Sequence, residues 1–269
     1  MEICGQLALE AEKQAAFRRS KLHCISFGSS KEYIDLSKNI IADINSVYPH
    51  AACVVYTPSD LPKDLLRFCI KHKRGWGYWA WKPYVIRKHL ELLEEGDVML
   101  YVDGRCGLVN KGKGISWLDT FISGSNYDLA TWQLPLPEQD WTSEDVFNLL
   151  GQSENMPVRL SGQYAGGLHC WRTGDKCRNM AKLWELFINT YPNRFMDGPF
   201  EDENIETFNE NRHDQSLFSV LLKVLQLKNK ISVKSIQMDE YSSGNLIAHM
   251  QKHPLCVRCR RGKQEHSFQ

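Results

Sequence analysis

The chain of 269 residues carries 33 Lys and Arg against 32 Asp and Glu, with 42% hydrophobic and 24% charged residues. That is the balance of a folded domain with ample core material, and it excludes wholesale disorder. A net charge of +1 excludes nucleic-acid binding driven by overall charge. No apolar run approaches the roughly 18 residues of a membrane-spanning helix. The first twenty residues, with Glu2, Glu10, Glu12, Lys13, Arg18 and Arg19, do not read as a secretory signal. The nine cysteines are an odd count, which reads as reduced thiols in a cytosolic protein. Cys24 and Cys53 sit in apolar runs and are expected in the core.

Residues 1–20 read as an amphipathic helix ahead of the domain. His23–Phe27 predicts a first strand, and the following Gly-Ser-Ser opens a helix to about residue 47. Ala52–Thr57 predicts a second strand, Ser59–His72 a second helix, and Pro83–Glu95 a third helix closed by Gly96. Asp97–Asp103 is a continuous apolar run of the kind buried on both faces of a sheet. Further strands are expected at Asp128–Gln133, Tyr164–Trp171 and Ile231–Gln237, and further helices at Asp175–Thr190 and His213–Leu227. The acidic stretch Asp197–Glu206 reads as a loop. Alternating strands and helices imply an α/β domain built on a mostly parallel sheet flanked by helices. The division expected is an extension at 1–20, one domain at 21–240 and a basic segment at 241–269.

In open parallel sheets ligands bind beyond the carboxyl ends of the strands. Asp103, followed by Gly104 and Arg105, stands at such an end. A carboxylate there holds a divalent cation or a ribose hydroxyl, or simply caps the next turn. Upstream, Arg74-Gly-Trp-Gly-Tyr-Trp-Ala-Trp-Lys82-Pro83 brackets an aromatic cluster with two cations. Such a cluster belongs either to the core or to a site that stacks a flat ring and neutralises phosphate.

That motif, followed about twenty residues later by Gly-Asp-Val-Met-Leu-Tyr-Val-Asp-Gly, resembles a family of nucleotide-sugar-dependent glycosyltransferases. These are GT-A-fold enzymes of bacterial and viral polysaccharide synthesis, whose usual pattern is Gly-Tyr-Gly-Tyr-Trp-x-Trp-Lys-Pro and then Leu-Tyr-x-Asp-Ala-Gly. The resemblance extends to Ala165-Gly-Gly-Leu-His169 and Arg212-His-Asp-Gln-Ser-Leu-Phe218, and covers roughly residues 21–240. It implies a GT-A-like domain that moves a hexose from a nucleotide sugar, UDP by family habit, to a glycan hydroxyl. Asp103 corresponds to the first acid of an Asp-x-Asp element that grips the sugar diphosphate through Mn2+ or Mg2+. Arg105 stands where the second acid would be, and would neutralise diphosphate directly. Arg74, Tyr78, Trp81, Lys82, Gly104, Gly166 and Gly167 are the further donor-binding candidates. Asp214 falls where inverting enzymes of this fold place their base, with His213 beside it and His169 and Glu210 in reserve. Glu201, Asp202, Glu203 and Glu206 rank lower.

The tail carries His249, His253, Cys256 and Cys259 in a spacing that could ligate zinc, but Pro254 interrupts the first pair and zinc is not expected. Arg258, Arg260, Arg261 and Lys263 make this end basic, suited to donor phosphates or to anionic lipid at the inner face of a membrane. Two other classes fit the sequence less well. One is a nucleotide-sugar-binding protein with a degraded site. The other is a zinc-stabilised nucleic-acid-binding module resting on the tail.

Overall fold

The structure, a computed structural model, describes residues 22–108, 116–198, 206–237 and 255–256. The helix expected at 1–20 lies outside these residues, as do His249, His253, Cys259, the tail arginines, Glu201, Asp202 and Glu203. One mixed sheet of six strands organises the molecule: β1 (Leu22–Phe27), β2 (Ala52–Tyr56), β3 (Val98–Val102), β5 (Leu129–Pro137), β6 (Gly162–Arg172) and β7 (Val233–Gln237). Their order is β2-β1-β3-β6-β5-β7, and only β6 runs against the others. A separate pair, β4 (Gly107–Leu108) and β8 (Leu255–Cys256), is antiparallel.

Helices cover both faces. On one face α1 (Lys31–Val47) and α4 (Ser116–Ile122) bury Ile40, Ile44, Leu118 and Phe121 against Cys24, Leu100 and Trp132. On the other, α3 (Trp81–Leu90), α8 (Asp175–Thr190) and α9 (Asp214–Leu227) bury Val85, Trp184 and Phe218 against Ile25, Met99 and Trp171. β3 alternates between the two cores, so every one of its side chains is buried and its apolar run is continuous.

Two expected helices change their bounds, each for a local reason. The helix expected at Ser59–His72 is split into a single 3₁₀ turn at Pro58–Asp60 and α2 (Lys63–Lys71). Pro62 holds the preceding Leu61 extended, which breaks the helical path. The third helix ends at Leu90 rather than Glu95, because Asp97 accepts the Glu94 N–H and draws the chain into a turn. Between β5 and β6 stand three short helices that the sequence pattern does not announce: α5 (Glu138–Trp141), α6 (Glu144–Leu149) and α7 (Met156–Leu160). They return the chain so that β6 enters the sheet in the opposite sense. Among the described residues no helix is long and apolar enough to cross a membrane.

A polar chain links β2, α3 and β1. The Tyr56 hydroxyl meets His89 Nδ1 at 2.9 Å, and His89 Nε2 meets His23 Nδ1 at 3.4 Å. Burial, helped by neighbouring His23, lowers the His89 pKa to about 4. His89 therefore stays neutral in the fold while the unfolded chain takes up its proton near pH 6.5. Stability should fall as pH drops from about 6.5 to about 4 and gain nothing further from this group below that. Urea midpoints across this window should decline, and the decline should be shallower in His89→Gln, which keeps an acceptor for Tyr56 but cannot be protonated.

Candidate active site

The site forms where β3 ends. Asp103 follows Val102, and the antiparallel partner strand brings Leu168 opposite Val102. The Asp103 N–H donates to the Gly167 carbonyl at 2.8 Å. β6 is irregular at this point: between the pairs Thr131↔His169 and Gln133↔Tyr164, Trp132 alone faces the four residues Ala165–Leu168. This bulge pushes Gly166 and Gly167 out of the ladder toward Asp103. A Cβ on Gly167 would lie 2.7 Å from Asp103 Oδ2, so only glycine lets strand and carboxylate approach this closely.

Lys82, in the first turn of α3, fills the centre. Its side chain is 3% exposed, and Nζ donates to the Gly166 carbonyl at 2.9 Å. Nζ also lies 3.1 Å from Asp214 Oδ2, an ion-pair contact, and 3.7 Å from Asp103 Oδ1. Burial alone would lower the Lys82 pKa, but Asp103 and Asp214 together hold it above the usual lysine value. Asp214 opens α9 and its side chain is 4% exposed. Burial raises its pKa to about 6; Lys82 pulls down and Asp103 pushes up. Asp103 is the open member of the pair, 32% exposed, and the Tyr101 hydroxyl donates to its Oδ1 at 2.5 Å.

Beneath them His169 is buried and stacks on Tyr101, with ring centroids 4.9 Å apart. Burial and the nearby Lys82 charge lower its pKa well below the usual histidine value. The Trp171 indole N–H donates to His169 Nδ1 at 2.6 Å, which places this ring in the support rather than the opening. Gly166 is fixed from behind as well. Its N–H donates to Gln215 Oε1 at 2.9 Å, and the Gln215 amide donates to Gln163. Gln163 then reaches the buried Glu138, which is paired with Lys223 at 2.7 Å.

The aromatic motif takes an unusual form. Trp76, Gly77, Tyr78 and Trp79 have φ of 47°, 88°, 53° and 58°, a left-handed turn that side chains with a Cβ rarely adopt. Gly77 is indispensable there, because a Cβ would lie 2.6 Å from the Cys69 backbone. Packing holds the turn: Trp76 sits 5.8 Å from Phe27, Trp81 stacks on Phe27 at 4.0 Å, and Trp79 stacks on His213 at 5.8 Å. Trp81 is thus a core residue that seats α3, and Lys82 with it.

Arg74 and Tyr78 lie in a neighbouring cluster. The Arg74 guanidinium donates to Asp197 Oδ1 at 2.8 Å and to Glu210 Oε2 at 2.5 Å, and the Tyr78 hydroxyl donates to Asp197 Oδ2 at 3.0 Å. Arg105 points elsewhere and donates to the Tyr33 hydroxyl at 2.6 Å. Among the described residues Arg105 has no carboxylate partner, whereas Lys82 and Arg74 each have two. Gly104 packs on α1, where a Cβ would lie 2.6 Å from Ser37 Oγ.

The structure therefore brings Lys82, Asp103, Gly166, Gly167 and Asp214 together, sets Arg74, Tyr78 and His213 beside them, and turns Arg105 toward Tyr33. Tyr101, Gln215, Gln163, Asp197 and Tyr33 take part without having stood out in the sequence. Asp197 lay inside an acidic stretch with no signal of its own. Tyr101, inside the matched Leu-Tyr-x-Asp, and Gln215, inside the matched Arg-His-Asp-Gln, were the two residues with a signal. The donor set does not suit a divalent cation. Asp103 is engaged by Tyr101 and Lys82, the second acid position is an arginine, and no group of three metal-ligating side chains forms among the described residues.

No family model matches the chain, and no curated protein matches it. Among solved structures, a glycosyltransferase involved in the glycosylation of the major capsid of PBCV-1 is similar at 14% identity over 90% of this chain and 94% of that one, with a TM-score of 0.48. A mycobacterial protein is similar at 11% identity over 91% of this chain and 78% of that one, with a TM-score of 0.38.

Lys82 also sets the stability of the site. Lys82→Met would leave two carboxylates facing each other without their cation. Breaking a buried pair from one side typically costs about 3 to 5 kcal/mol. Urea denaturation should show a loss of that order at neutral pH, and a smaller one once acid protonates Asp214.

Proposed function

We propose that the protein is a glycosyltransferase that moves a sugar from a nucleotide donor, UDP-linked by family habit, to a hydroxyl of a glycan. The observation that carries this reading is the meeting of Asp103 and Asp214 on one ammonium, Lys82, beside the Gly166–Gly167 bulge. Four sequence motifs resembling the GT-A enzymes supply these residues, and each contributes to one cluster at the carboxyl end of β3.

In this reading the acceptor oxygen attacks the anomeric carbon, the bond to the diphosphate oxygen breaks, and the electron pair leaves with the diphosphate. Asp214 takes the acceptor proton. A pKa of about 6 leaves it ionised at neutral pH yet basic enough for the task. Asp103, the more open carboxylate, orients the donor sugar. Arg105 neutralises the leaving diphosphate, because its charge is not already matched by an acid among the described residues. A second reading has one observation in its favour: His213 Nε2 is buried, has no hydrogen-bond partner among the described residues, and could take the proton in place of Asp214.

Asp103→Asn should abolish transfer in a protein that still folds, with a smaller loss of stability than Lys82→Met. Asp214→Asn should lower the rate at saturating substrates by about 10² to 10⁴, the usual size of a general-base contribution. The wild-type rate should fall as pH drops through about 6, and that limb should vanish in Asp214→Asn. Full activity in Asp214→Asn with loss in His213→Ala would move the base to His213. Donor binding without turnover by the wild type would identify a catalytically silent binding protein. Calorimetry with UDP should show about tenfold weaker binding for Arg105→Ala.

A further inference from the structure

The cluster beside the carboxylate pair has no task in the donor chemistry above. Arg74 lies between Asp197 and Glu210, and these three side chains are 44%, 45% and 31% exposed, so their polar edges face solvent. Two carboxylates against one guanidinium leave the cluster net negative, which repels a diphosphate. Its inner wall is His213. Nδ1 lies 2.8 Å from the Phe195 carbonyl and so carries the ring proton, because a carbonyl can only accept. Burial lowers the His213 pKa and keeps the ring neutral. Nε2 is then a bare acceptor, buried, unpartnered among the described residues, and 3.7 Å from Asp197 Oδ1.

Asp197 Oδ1 already accepts from Arg74, so the unmet acceptor is Nε2, and a hydroxyl can donate to it. Planar carboxylates and a planar guanidinium, set beside the Tyr78 and Trp79 rings, offer matched acceptors and donors to neighbouring hydroxyls on a ring. The backbone that holds them is strained: Trp76, Tyr78, Trp79 and His213 all have positive φ. Such strain gathers at ligand clamps, where surrounding packing over-determines the conformation.

We propose that Arg74, Tyr78, Asp197, Glu210 and His213 form a subsite for a neutral sugar, the acceptor of the transfer proposed above, and grip adjacent hydroxyls of its ring. The assignment to the acceptor rests on the glycosyltransferase reading and on His213 directly preceding Asp214. Saturation-transfer NMR with a panel of methyl glycosides, without nucleotide, tests it on the wild type, Asp197→Asn and Glu210→Gln. UDP and inorganic pyrophosphate are titrated in parallel by calorimetry. Both substituted positions are substantially exposed, and unchanged melting temperatures verify folding.

At least one glycoside should bind the wild type and bind both variants about tenfold more weakly, with UDP affinity unchanged. Absence of binding by every glycoside in the panel overturns the subsite, as does binding indifferent to both substitutions. Weakened pyrophosphate binding in the variants overturns it too, by making the cluster a phosphate site. Because binding is read without turnover, failure here leaves donor chemistry at Asp103 standing. Glycoside binding by a protein that never turns over a donor would instead sink the transferase reading and keep the subsite.

Discussion

The site depends on one buried ammonium. Lys82 is removed from water, and desolvating such a charge costs several kcal/mol even after the protein relaxes around it. The cost is offset only if Asp103, Asp214 and the Gly166 carbonyl all keep their places. These groups come from β3, α9 and β6, and Lys82 itself from α3, so four elements must be registered to satisfy one side chain. The bulge in β6 and the missing side chain at Gly167 follow from the same demand, since both let the strand close on Asp103. The Glu138–Gln163–Gln215 chain extends the constraint, holding Gly166 from its other side through hydrogen bonds that are buried and satisfied.

The aromatic motif serves this arrangement from beneath. Its left-handed turn is unfavourable residue by residue, and the packing of Trp76 against Phe27, with the stacking of Trp81 on Phe27 and of Trp79 on His213, makes it tolerable. The same packing aims α3, and thereby places Lys82 in its second position. The motif therefore joins the two readings that its composition left open. Trp81 is core, while Tyr78 faces the polar cluster through its hydroxyl.

Much of the fold was legible because periodicity reports burial. β3 reads as a doubly buried strand and is one, and Asp175–Thr190 begins and ends where its pattern says. Strand direction is not written in periodicity, since an antiparallel strand buried on both faces looks like a parallel one, and β6 shows this. The short helices after β5 span four to six residues, too few for a 3.6-residue period to register. The convergence of Lys82, Asp103, Gly166, Gly167 and Asp214 followed from motif order. Their charge state did not, because compensation depends on partners distant in sequence. Arg74 meets Asp197 and Glu210 across 123 and 136 residues, and nothing local announces that.

That compensation gives the opening a direction. Lys82 is spent on two acids and Arg74 on two others, so neither offers net positive charge to an incoming diphosphate. Arg105, turned toward Tyr33 on α1, is differently placed: it lies beyond Asp103 and has no carboxylate partner among the described residues. In the proposed reaction a dianionic leaving group would be drawn to the Arg105 side, and a neutral polyol would be tolerated on the net-negative side lined by Asp197 and Glu210. Between the two stand Asp103, open enough to touch a donor sugar, and Asp214, whose raised pKa reflects its burial. In the proposed reaction charge thus sorts the substrates before shape does. The diphosphate would depart toward the arginine as the acceptor's proton moves inward to the buried carboxylate.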